Sequence, residues 1–107
     1  MPTLFLSAPK NKTLLGNAYR DFNTILATGI GPDFGVYATL IGEVSLGMKA
    51  VVFDRRQRRR GEGTVANYTR KTKFGNGVWG YDVEIRDLKE VPYQNPPRVN
   101  RCGVAVI

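Results

Sequence analysis

The sequence predicts an α+β domain that is mainly β: a small curled antiparallel sheet or pseudo-barrel of about six strands, with one short helix at about residues 17–28. Three observations lead there. Short runs rich in β-branched and aromatic residues recur along the chain, punctuated by glycine and proline. Only one stretch places apolar residues at helical spacing. The chain has 107 residues, enough for a single domain over 1–107 and too few for two ordinary ones.

"TLFLSAP" (3–9) reads as a first strand that ends at proline, followed by a loop through "KNKT". In "NAYRDFNTILATG" (17–29), Ala18, Phe22, Ile25 and Leu26 share one helical face, with Asn17 as cap and Gly29 as stop. "GIGPDFG" (29–35) reads as a loop. It is no dinucleotide fingerprint, because its glycines follow a helix and have the wrong spacing. "VYATLIG" (36–42) and "MKAVVFD" (48–54) read as strands. "GEGTVANYTRK" (61–71) returns from an arginine-rich tip to make a hairpin with 48–54.

"GNG" (75–77) suits a tight turn. In "WGYDVEIR" (79–86), Trp79, Tyr81, Val83 and Ile85 then alternate with polar residues and Gly80, as in a half-buried strand. "DLKEVPY" is an extended exit, the prolines of "QNPPR" make a stiff connection, and "VNRCGVAVI" (99–107) closes the sheet.

The net charge is +7, from 16 Lys and Arg against 9 Asp and Glu, and eight of the cations lie between Arg55 and Lys73. A field concentrated in this way attracts polyanions. Arg55, Arg56, Arg58, Arg59 and Arg60 crowd into "RRQRRR", too densely for all of them to find internal carboxylates, and guanidinium groups suit phosphate bidentately. Beyond them Tyr68, Arg70, Lys71, Lys73, Phe74 and Trp79 interleave aromatics with cations, as single-strand binding surfaces do. Core packing is the competing reading for Tyr68 and Trp79.

There is no histidine and one cysteine, Cys102, so disulfide frameworks, the usual nucleophile and base pairs, and nitrogen or sulfur zinc sites cannot be built from this chain. Cys102 is expected to be a buried, inert thiol. Asp82 and Glu84 share a strand face and would need a third ligand to hold Mg²⁺; a solvated outer face is the plainer role. No enzyme activity and no cofactor are expected, a magnesium-dependent nuclease being a distant alternative. The opening "MPTLFLSAPKNK" lacks the make-up of a secretory signal, and no apolar run nears the ~18 residues of a membrane-spanning helix. The expectation is a cytoplasmic protein without a membrane partner.

From "SLGMKAVVFD" through "GEGTVANYT" to "YDVEIRDLKEVPY", over residues 45–92, the chain resembles the PUA-like superfamily of small pseudo-barrels, which includes the PUA, ASCH and EVE domains. Gly47 with Val51 to Phe53, Gly63 to Val65, and Tyr81 to Pro92 carry the likeness; the spacing also suits an SH3-like barrel. The resemblance implies recognition of RNA or of single-stranded or modified DNA. Two functional readings follow. In the first, the arginine hairpin meets phosphates and the nearby aromatics meet bases. In the second, the thin core of a small domain is covered by forming a homo-oligomer, as a structural or interaction protein.

Overall fold

The computed structural model describes residues 2–8, 21–100 and 102–107. In chain order the elements are β1 (Thr3–Ser7), α1 (Phe22–Thr28), β2 (Ile30–Tyr37), α2 (Ala38–Ile41), β3 (Lys49–Asp54), β4 (Arg59–Gly75), β5 (Val78–Val91) and β6 (Val104–Val106). The strands form one six-stranded sheet in the order β2-β5-β4-β3-β1-β6. The fold is α+β and mostly β, as expected.

Five details differ from the expectation. The sheet is mixed, because β1 pairs parallel with β3 while all other pairs are antiparallel. The chain leaves β1, passes through α1, β2 and α2, and enters β3 from the same end, the kind of crossover that parallel neighbours require. The sheet is also open. Its edges β2 and β6 curl toward one another, so that a Cβ at Gly35 would lie 3.1 Å from Cys102 Sγ, yet the strand order ends at each edge. Cys102 is free and half-buried there rather than buried.

Third, residues 30–35 are strand and not loop. β2 pairs with β5 from Ile30 to Tyr37, and the register shift between Gly31 and Phe34 takes up Pro32 on an edge strand, where a missing N–H costs least. Fourth, only Val36 and Tyr37 of the stretch 36–42 are strand. At Ala38 the chain turns away, with Ala38 N–H donating to Gly77 O at 2.7 Å, and α2 lays Leu40 and Ile41 against the core. Fifth, α1 begins at Phe22, with Asp21 at its N-cap, so Leu26 remains on its inward face while Asn17 and Ala18 fall outside the described residues. Gly29 ends it in the left-handed conformation, its N–H donating to Ile25 O.

One face of the sheet and α1 enclose the core. Leu4, Leu6, Ala50, Val52, Phe34, Val36, Val65, Tyr81, Val83 and Ile85 meet Phe22 and Ile25 of the helix. A seven-residue helix is too short to persist alone, so α1 stands on the burial of those two side chains, worth about 1.5–3 kcal/mol each. β3 is buried on both faces: Ala50 and Val52 point into the core, and Val51 and Phe53 on the other side are equally inaccessible.

β4 and β5 run together for nearly their whole length, with four breaks in register. At the first, Gly63 opposes two β5 residues, Asp87 and Leu88, and Asp87 takes φ 57°. The remaining three insert Ala66, Lys71 and Phe74 into β4. Gly63 is held so closely that an added Cβ would lie 2.6 Å from Ile85 Cγ2 and 2.7 Å from Arg86 O. Gly63→Ala is expected to cost about 1–3 kcal/mol by forcing the two strands apart, read as a lower urea midpoint with the m-value unchanged.

Candidate nucleic-acid interface

The five arginines of the tip divide by position. Residues 55–58 form the turn between β3 and β4, and Arg55, Arg56 and Arg58 on it are exposed. Asp54, at the end of β3, is buried and spends its carboxylate on the turn's backbone, accepting from Arg56 N–H at 2.9 Å and Gln57 N–H at 3.2 Å. It fixes the turn and makes no side-chain ion pair with the guanidinium groups among the described residues.

Arg59 and Arg60 are the first two residues of β4, so they leave the strand on opposite faces. Arg59 turns toward α1. Its Nε and Nη2 each donate at 2.9 Å to the two oxygens of Glu90 on β5, Nη1 donates to Asn23 Oδ1, and the guanidinium lies 4.6 Å from the Phe22 ring centre. The fork therefore ties α1, β4 and β5 together. Its hydrogen bonds to Glu90 raise the Arg59 pKa and hold the Glu90 carboxyl below its ordinary value.

Arg60 is 7% exposed and lies on the other face. Its Nε and Nη2 both lie 3.0 Å from Glu62 Oε2, its guanidinium sits 6.0 Å from the Phe5 ring centre, and Lys49 Nζ meets Glu62 Oε1 at 3.1 Å. Burial pushes the Glu62 carboxyl up, but hydrogen bonds and charge from Lys49 and Arg60 together outweigh it and hold the group low. Two of the five arginines are thus structural. Glu62 lies two residues from Arg60 in the chain, whereas Glu90, 31 residues from Arg59, becomes its partner only through the β4–β5 register.

Arg55 donates to Pro97 O at 2.8 Å and lies 5.2 Å from the Phe53 ring centre, and Arg58 lies 5.0 Å from that of Tyr93. Neither cation has a carboxylate partner among the described residues. Arg56 has no side-chain partner among the described residues, and Arg98, next to Pro97, is exposed as well. Tyr93 and Pro97 belong to the connection after β5, whose approach to the tip no local pattern announces.

The second group expected at the interface sits toward the other end of β4. Tyr68 is half-buried against the core, donates its hydroxyl to Val44 O at 3.1 Å and packs on Tyr81. Trp79 is likewise half-buried against the core, with Arg70 4.3 Å and Lys73 5.9 Å from its ring centre. Lys71 pairs with Asp82 at 3.3 Å, which gives that acid a structural partner, and Phe74 is 40% exposed. Tip and aromatics stand toward opposite ends of one strand: the 17 residues of β4 lie between the turn at 55–58 and the turn at 76–77.

Among the described residues, no three His, Cys, Asp or Glu side chains gather where they could hold a metal ion, and no helix is long and apolar enough to cross a membrane. No family model, curated protein or solved structure was found to match the chain.

Because the folded pKa values of Glu62 and Glu90 lie below the unfolded value near 4.5, their ion pairs contribute fully above that pH. Their contribution is lost as pH falls through the lowered folded values. Thermal melts from pH 7 to pH 2 should therefore show Tm declining below about pH 5, with Arg59→Met removing the Glu90 part of the decline.

Proposed function

We propose that this protein is a nucleic-acid-binding domain that grips the phosphates of RNA or single-stranded DNA with the tip of its β3–β4 hairpin. The observation that carries the reading is the division of the five arginines. Arg59 and Arg60 pair with Glu90 and Glu62 and anchor the base of the hairpin, while Arg55, Arg56 and Arg58 stand on an exposed turn with no carboxylate partner among the described residues. Three guanidinium groups so held are prepared for phosphate, since their turn is ordered before the ligand arrives.

Arg58 adds an independent argument. It has φ 53°, a left-handed conformation that costs an L-residue about 1 kcal/mol and that the turn at the other end of β4 assigns to Asn76. Backbone strain of this kind clusters at functional sites. The likeness of residues 45–92 to the PUA-like superfamily favours the same class of ligand.

Fluorescence anisotropy with mixed-sequence oligonucleotides tests the proposal. Three phosphate contacts predict that log affinity falls against log salt with a slope of about −2 for single strands, or about −3 for duplex. Replacing Arg55, Arg56 and Arg58 together by Ser should make the slope shallower by about these three contacts. Absence of binding at low salt, or an unaltered slope in the triple variant, would overturn the reading.

Arg58→Gly separates binding from folding. Relief of the left-handed strain, about 1 kcal/mol, is offset by loss of the contact with Tyr93, about 0.5–1 kcal/mol. Its Tm should consequently stay within a few degrees of the parent while the salt slope becomes shallower by about one contact.

A further inference from the structure

We infer that the far end of the β4–β5 hairpin is a second contact, separate from the arginine tip, at which unpaired bases stack on Phe74. The inference rests on the proposed nucleic-acid function and adds the kind of strand that the protein takes: one with exposed bases.

The tip offers phosphate contacts and no open ring. Phe53 is fully buried there and Tyr93 is covered by Arg58. The far end supplies what the tip lacks. Phe74 is the extra residue of the last β4 bulge, between the pairs Lys73 with Trp79 and Gly75 with Val78, and a bulge re-aims the side chain it carries. The result is a phenyl ring 40% exposed at the mouth of a two-residue turn.

The neighbours of Phe74 make it more than a stray apolar residue. Lys73 precedes it in the chain, and Arg70 and Lys73 both stand over Trp79 on the adjoining strand. Neither makes an ion pair among the described residues, whereas Lys71 between them is paired with Asp82. An exposed ring next to Lys73 in the chain, with Arg70 and Lys73 over the neighbouring Trp79 and in no ion pair among the described residues, fits a base on the ring and its phosphates on the cations, and an Arg stacked on Trp offers a further plane for a base. Bases inside a duplex have their faces covered by neighbours, so the site selects single strands.

The chain contains one tryptophan, so its emission reports on this end of the hairpin alone. Titration with an oligothymidylate of about ten nucleotides should quench Trp79 saturably. Phe74→Ser should weaken binding about tenfold, and Arg70→Ser with Lys73→Ser should do so by at least as much. In the Arg55, Arg56 and Arg58 triple Ser variant the same quench at saturation should persist at higher oligonucleotide concentration.

Binding seen by anisotropy with Trp79 emission unchanged, and with Phe74→Ser binding as the parent does, would overturn this second contact while leaving the tip as the interface. Failure of both signals at low salt would remove the nucleic-acid function itself. Equal affinity for the oligothymidylate and for a duplex of the same length would also overturn base stacking, since only the phosphates would then be read.

Discussion

The structure depends on β4 pairing along both of its edges near its start and along β5 for the rest of its length. Its residues 60–64 are clamped between β3 and β5, and its later residues run on with β5 to the turn at 76–77. Each inserted residue shifts the alternation of side chains by one, so a strand with three insertions can hold Val65 in the core and still carry Arg70, Lys71 and Lys73 at the surface. Without those shifts a strand this long would have to keep a single alternation of inward and outward residues throughout.

The same clamp decides which arginines are available. Arg59 and Arg60 occupy paired positions on β4, so their side chains are directed by the pleat, one toward α1 and Glu90, the other toward Phe5 and Glu62. Arg55, Arg56 and Arg58 fall on the turn, where the backbone is held by Asp54 and the side chains are not committed to the core. A cluster that is uniform in the sequence thereby becomes a rigid base and a cationic tip. Bidentate pairing of Arg59 with Glu90, both partly exposed, is more important for positioning α1 against the sheet than for net stability, because exposed ion pairs contribute little.

Charge along the hairpin pair is distributed in the same way. Near the start of β4 the cations are matched by Glu62 and Glu90, and toward its end Lys71 is matched by Asp82, while the tip and the pair Arg70 and Lys73 have no acidic partner among the described residues. Surplus cations at two separated places suit a flexible anionic strand better than a compact anion. They also protect the part of β4 beyond its pairing with β3, since bulges and lysines are how exposed edges resist pairing with another chain.

The class of fold, most of the strands and the location of surplus charge are legible in the amino-acid sequence. Alternation in 79–86, the β-rich run at 48–54, the glycine stop at 29 and the arginine density are local properties, and the pleat, the helix and Coulomb's law act on them locally. Every feature set by register, in contrast, depends on how the strands meet. The proline-bearing stretch at 30–35 became strand because β5 offered it an edge, and residues 38–41 became helix because the chain had to leave the sheet there. Glu90 reached Arg59 across 31 residues, and the aromatics of 68 and 79 turned to the core through pairings as distant as Val36 with Trp79. Such pairings are selected by burial of the whole sheet, which no short stretch of sequence contains.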